Sequence, residues 1–113
     1  MKHLATAVAT TLLFVLSAAV PPAAAQSAPD NYKSKCQMCH GATGNGDSPT
    51  GKKLNVHDFH SADVQKKSDD EFFKAIKDGV NSNGKFVMPA YNGKLSDDQI
   101  RDLAKYSREL GKK

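Results

Sequence analysis

The chain has 113 residues, of which 39% are hydrophobic and 25% charged, and its formal net charge at pH 7 is +4. A chain of this length has room for one domain. Because the basic and acidic residues are interspersed rather than grouped, the sequence indicates neither a nucleic-acid-binding surface nor a membrane-binding one.

Residues 1–25 have the pattern of a cleaved secretory signal peptide. One lysine precedes an apolar run over residues 4–20, and three alanines at 23–25 form a cleavage site before Gln26. An uncleaved membrane anchor is the alternative, because the apolar run is close to spanning length. We therefore expect an exported, periplasmic domain over residues 26–113, without stable membrane insertion after cleavage.

Three segments of the expected mature chain have helical periodicity, and none shows a convincing alternation typical of strands. The first helix is predicted over about residues 28–39, with Ser27 as its cap. The other two begin at capping boxes and end at glycines. The predicted fold class is therefore all-α, with three or more helices. The capping boxes are Ser68 with Glu71 and Ser96 with Gln99, and the terminal glycines are Gly79 and Gly111.

The segments between these helices are predicted to be irregular. Residues 41–51, "GATGNGDSPTG", contain four of the eight glycines and form a loop folded closely against its surroundings. Residues 52–67 are expected to be a loop with at most one helical turn. "NSNG" at residues 81–84 is a turn signal, and an irregular segment containing Met88 follows it.

Both cysteines of the chain lie in "KCQMCHG", residues 35–41. Covalent attachment of haem requires two thiols that meet the two vinyl groups on one porphyrin edge, and an adjacent histidine that reaches the iron. A Cys-x-x-Cys-His sequence at a helix end provides this arrangement. The motif therefore predicts a covalently bound haem.

Three other interpretations of this motif remain open. A redox dithiol would normally follow a strand, and no strand is predicted before Cys36. A disulfide between cysteines two residues apart in a helix has poor geometry. A zinc site is the third interpretation, since His57 and His60 supply a second ligand pair, although that arrangement leaves His40 without a role.

"CQMCHGATGNGD" near the expected mature N-terminus, "MPAY" at residues 88–91, and a closing amphipathic helix with Tyr106 resemble class I c-type cytochromes. The similarity is greatest to small bacterial periplasmic monohaem cytochromes c, and it covers residues 28–110. The resemblance implies the small class I fold around one haem c. It also implies that Cys36 and Cys39 form the thioethers and that His40 is an axial ligand of the iron.

The residues alone leave the second axial ligand open. Met38 lies between the two cysteines, so Met88 is the remaining thioether of the expected mature chain, and the resemblance places the ligand there. His57 and His60 are rivals that would lower the reduction potential.

Two more residues are predicted to shape the haem pocket. The resemblance makes Phe59 an apolar wall of this pocket. Pro49 lies where a loop carbonyl could accept the free imidazole N–H of His40 and fix its orientation.

Together these features predict a monomeric, periplasmic single-electron carrier that exchanges electrons with larger redox proteins and is not an enzyme. Two alternatives belong to other functional classes. A haem sensor or peroxidase-like enzyme would need a labile sixth ligand, and a zinc-binding module would contain no haem.

Overall fold

The computed structural model describes residues 26–113, and the predicted signal peptide lies outside these described residues. Among residues 26–113, none of the helices has the length and hydropathy that spanning a bilayer requires. The elements in chain order are α1 (Ala28–Lys35), α2 (Gln37–His40), α3 (Pro49–Leu54), α4 (Ala62–Gln65), α5 (Asp69–Asp78), β1 (Val80–Ser82), β2 (Lys85–Met88) and α6 (Asp97–Leu110).

The helix starts confirm the predicted caps. The Ser27 hydroxyl accepts a hydrogen bond from the backbone N–H of Asp30 at the start of α1. Both capping boxes are complete, because each serine accepts from the third helical residue, whose side chain accepts from the serine N–H in return. Since these reciprocal bonds satisfy two otherwise free N–H groups, they fix where α5 and α6 begin.

The predicted first helix is divided into α1 and α2 at Cys36. This residue has φ −116° and ψ −35°, away from regular helix values. Its N–H still donates to the carbonyl of Tyr32 and its carbonyl still accepts from the N–H of His40, each at 2.9 Å. The helix is therefore distorted at one thiol-bearing residue while its hydrogen bonding continues.

The expectation of three or more helices is confirmed, but the all-α class is not, because β1 and β2 form a small antiparallel two-stranded sheet within a mostly helical structure. Asn81 pairs with Phe86, and the turn residues Asn83 and Gly84 have φ of 53° and 76°. Positive φ at both central residues suits a tight hairpin turn. The turn itself was predicted, but both strands are short and largely exposed, so they lack the alternating pattern that identifies a strand.

Residues 52–67 also contain more helix than expected, since α3 and α4 lie at the two ends of this segment. Ser48 and Ser61 cap these helices with their hydroxyl groups. Both helices are shorter than two turns, so they present no apolar periodicity that sequence reasoning could detect.

The core lies where α1 and α5 pack against α6. The rings of Tyr32 and Tyr106 meet at the α1–α6 contact, with their centroids 5.4 Å apart. Three ion pairs and the stacking of Arg101 over Phe73 join α5 to α6 at the surface. The pairs are Asp69 with Arg108, Asp70 with Arg101 and Asp97 with Lys77. The buried apolar side chains are Tyr32, Cys36, Phe59, Val64, Phe72, Ile76, Leu95, Ile100, Leu103, Ala104 and Leu110.

Replacing Ile100 should reveal how much this small core depends on α6. Ile100 is fully buried, with 0% of its surface exposed. We expect Ile100→Ala to lower the free energy of unfolding by about 2–5 kcal/mol, because the lost methyl groups leave a cavity. Denaturant unfolding of the haem-loaded protein measures this. Lys105→Ala, an exposed change on the same helix, is the control and should stay within about 0.5 kcal/mol of the parent. Equal losses in the two variants would contradict the assignment of Ile100 to the core.

Candidate functional site

Cys36 and Cys39 lie on one side of the distorted helix, and both are free thiols. Cys36 is buried, and desolvation raises the pKa of its thiol to about 11, against a smaller opposing effect of Lys35. A thiol with a raised pKa is a poor nucleophile, unlike the attacking cysteine of a redox dithiol. This environment of Cys36 does not favour the dithiol interpretation.

His40 is the last residue of α2, and it is half-buried. Burial lowers the pKa of the imidazole, which favours the neutral form that binds metals. The Nδ1 atom is buried without a hydrogen-bond partner among residues 26–113. The imidazole packs on the Phe59 ring, with centroids 4.8 Å apart and an interplanar angle of 29°. An imidazole whose neutral form is favoured, beside two free thiols, fits the donor set that a covalently attached haem requires.

The predicted hydrogen bond between His40 and the Pro49 carbonyl is not present in this structure. Pro49 is the first residue of α3 rather than a loop residue. A carbonyl at this position is directed along its own helix, which explains why it does not face the imidazole.

The carbonyl groups at the end of α2 are satisfied from outside the helix. The Ser48 hydroxyl lies 2.7 Å and 3.0 Å from the carbonyl oxygens of residues 38 and 39. The Gly46 N–H donates to the His40 carbonyl at 2.8 Å. The buried Tyr32 hydroxyl, whose pKa is raised mainly by desolvation, donates to the carbonyl of residue 41 at 2.7 Å. These bonds hold the backbone of His40 in place, since helix ends otherwise lack such partners.

Phe59 is held against His40 by the glycine-rich loop. Its N–H donates to the Gly44 carbonyl at 2.8 Å, and its ring meets Phe72 edge to face at 6.0 Å. A Cβ at Gly44 would lie only 2.5 Å from the Phe59 ring, and the φ of Gly44 is +77°. Glycine is therefore required here both for space and for backbone conformation.

Met88 ends β2, and its half-buried side chain packs against the core. A Cβ at Gly79, where α5 ends, would come within 2.6 Å of the Met88 carbonyl oxygen. Just after Met88, the Tyr91 N–H donates to the Ile76 carbonyl at 3.0 Å. The Tyr91 hydroxyl donates to the Lys35 carbonyl at 3.1 Å. This bond joins residues 88–91, here called the methionine segment, to the residue before Cys36.

The other proposed iron or zinc ligands have different surroundings. Met38 is 73% exposed, and His57 is exposed. His60 contacts the Asp58 carboxylate through Nδ1 at 2.6 Å, and hydrogen bonds from the backbone and ring of His60 lower the pKa of Asp58. Residues 26–113 contain no group of three or more His, Cys, Asp or Glu side chains placed to hold a metal ion. The zinc interpretation therefore has no support in the described structure.

Sequence reasoning assigned no role to Ser48 or to the Tyr91 hydroxyl. Ser48 was detectable in principle, because a serine followed by proline is typical of a helix start. The Tyr91 bond was not detectable, because its acceptor is a backbone carbonyl 56 residues away.

Comparison with known proteins identifies the family of this chain. Residues 23–106 match the family described as cytochrome C oxidase, cbb3-type, subunit III. The chain is 34% identical to cytochrome c6 of Gloeothece citriformis, with 100% of this chain and 98% of the relative covered. It is 31% identical to a cytochrome c6-like protein of Nostoc sp., with 94% and 91% covered. A solved KustC0563 c-type cytochrome matches with a TM-score of 0.63 at 25% identity, covering 75% of this chain and 98% of the other. The chain therefore belongs to the cytochrome c family, as a small class I c-type cytochrome that binds haem c covalently.

Proposed function

We propose that this cytochrome is a periplasmic single-electron carrier between larger redox proteins, acting as a monomer and not as an enzyme. In this proposal Cys36 and Cys39 hold one haem c through thioether bonds, and His40 and Met88 are the axial ligands of its iron. Relatives named cytochrome c6 support the electron-carrier role. The periplasmic location rests on the predicted signal peptide at residues 1–25.

The Tyr91–Lys35 hydrogen bond is the observation that carries the proposal. It connects the segment containing Met88 directly to the segment containing Cys36, although 56 residues separate the two partners. Two groups that bind one iron must lie on segments held at a fixed separation. The fold thus supports Met88, whose side chain is half-buried, as the second ligand, whereas His57 is exposed.

The backbone around His40 supports the same role. Haem iron, when bound, supplies the redox chemistry by changing between the ferrous and ferric states. The bonds from Ser48, Gly46 and Tyr32 hold the His40 backbone in place, and desolvation lowers the pKa of its imidazole, which favours the neutral form. Ligands held in place change little between oxidation states, which favours electron transfer over substrate binding at the iron.

The two described methionines provide a matched test of axial ligation. We expect Met88→Ala to abolish the weak far-red sulfur-to-iron absorption band and to open the iron to carbon monoxide, because a thioether ligand is lost. Met38→Ala removes a thioether that is 73% exposed, and it should retain the band and refuse carbon monoxide. Optical spectra of the oxidised and reduced proteins, with and without carbon monoxide, make the measurement.

Other spectral results would redirect the proposal. A parent protein that lacks the band and refuses carbon monoxide would move the second ligand to His57 or His60, which single alanine substitutions would separate. A parent protein that binds carbon monoxide would indicate a haem sensor or enzyme. A protein without haem would contradict the entire proposal.

Removing only the Tyr91 hydroxyl should weaken Met88 ligation. Tyr91→Phe retains the ring but leaves the Lys35 carbonyl without this donor, a loss of about 1 kcal/mol for one hydrogen bond. If that bond holds the methionine segment in place, added imidazole should bind the ferric protein about fivefold more tightly. Spectroscopic titration with imidazole measures this affinity.

Tyr106→Phe is the control for this titration. The Tyr106 ring packs against Tyr32, and its hydroxyl makes no hydrogen bond among residues 26–113. This variant should bind imidazole as the parent does. Equal imidazole affinities in the parent and Tyr91→Phe would show that the Tyr91 bond does not support Met88.

A further inference from the structure

Gln65 joins two parts of the fold that are distant in sequence. It is the last residue of α4, and its side-chain Nε2 lies 2.7 Å from the Phe59 carbonyl oxygen and 3.3 Å from the Arg108 carbonyl oxygen. An amide nitrogen carries two N–H donors, so a single glutamine can serve both acceptors. The half-buried Gln65 therefore connects the backbone at Phe59 to the last turn of α6.

Both carbonyl groups depend on this side chain. Arg108 lies in the last turn of α6, whose carbonyls have no partner within the helix. The N–H of Lys112 donates to Glu109 rather than to Arg108, so Gln65 supplies the bond that the helix leaves unmade. The Phe59 carbonyl lies outside any helix or strand.

Gly111, the residue that follows α6, lies directly against the Phe59 carbonyl and the Gln65 amide. A Cβ at this buried position would clash with the Phe59 carbonyl oxygen and with Nε2 of Gln65. A side chain here could be accommodated only if these groups moved. The C-terminal end of α6 therefore contacts Phe59, whose ring packs on His40. This close contact is possible because Gly111 has no side chain.

We propose that Gln65 is a positioning residue that holds the Phe59 ring on the imidazole of His40 and thereby helps to set the reduction potential of the haem. This inference rests on the proposed role of His40 as an axial ligand. Gln65 acts only through Phe59, which lies 4.8 Å from His40 between ring centroids. A well-packed apolar ring keeps water away from the ligand, and a dry surrounding disfavours the more highly charged ferric state.

Gln65→Met is the first variant, because it keeps an unbranched side chain of similar length and removes both donors. At a fixed solution potential we expect the ratio of reduced to oxidised protein to fall roughly three- to tenfold, where tenfold corresponds to about 59 mV for one electron. Gly111→Ala should shift the ratio in the same direction, because the added methyl group displaces the Gln65 amide and the Phe59 carbonyl. Redox titration of the haem-loaded proteins measures the ratio.

Gln99→Met is the matched control. Gln99 also hydrogen-bonds a backbone group at a helix end, since its Oε1 accepts from the Ser96 N–H at 2.9 Å. The same substitution should therefore cost similar stability, measured by denaturant unfolding, and should leave the redox ratio unchanged. A purely structural role for Gln65 predicts that Gln65→Met behaves like this control, and that result would overturn the proposal.

A double-mutant cycle tests whether Gln65 acts through Phe59. In a Phe59→Leu background, Gln65→Met should no longer change the redox ratio, because the ring that it positions is absent. A full shift that persists in this background would also overturn the proposal. Should Gln65→Met fail to retain haem, Gln65→Asn, whose amide is one methylene shorter, replaces it with the same expected direction.

The spectrum of the parent protein separates this inference from the proposed function. If the parent shows the sulfur-to-iron band and only the Gln65 shift is absent, the positioning role fails and the electron-carrier proposal stands. If the parent itself lacks covalent haem with histidine ligation, the electron-carrier proposal fails first. His40 proton resonances in the reduced protein supply a second readout, and they should shift in Gln65→Met but not in Gln99→Met.

Discussion

The end of the short helix α2 is the constraint on which the rest of the site depends. A helix of four residues does not persist alone, because nucleation is costly and its carbonyl groups lack partners. Ser48 and Gly46, from the loop that follows, and Tyr32, from the helix before it, supply the missing donors. His40 is the last residue of this helix, so the position of its imidazole follows from these backbone bonds rather than from a bond to the ring itself.

The methionine segment, which comes later in the chain, is attached to the backbone just before Cys36. Gly79 permits the close passage of the Met88 backbone, and Tyr91 reaches the Lys35 carbonyl. Both proposed axial ligands are therefore positioned relative to one short stretch of backbone around Cys36. Positioning both residues from one stretch of backbone suits a domain with few large apolar residues, in which cofactor binding and folding are expected to be coupled.

Local signals predicted the parts of this structure that depend on neighbouring residues. The capping boxes of α5 and α6 and the turn at Asn83 depend on residues a few positions apart, and the structure confirms them. The hairpin strands were missed because their side chains are mostly exposed and show no alternation. The expected Pro49 bond is absent because Ser48 starts a helix there, and the Gln65 contacts were undetectable because one acceptor lies 43 residues away.

Helix α6 explains why the short Cys-x-x-Cys-His motif is not sufficient for the site. Through Tyr106 it packs on Tyr32, whose hydroxyl bonds the carbonyl next to His40. Through Gly111 and the Arg108 carbonyl it contacts Gln65 and Phe59, whose ring packs on the same histidine. Helix α6, the element furthest from His40 in sequence, thus contacts both the residue that bonds the backbone next to His40 and the residue that packs on its ring. Since Tyr32 and Phe59 both contact α6 or residues bonded to it, a chain with the motif but without this helix would have the proposed ligand residues and would lack the contacts that position them.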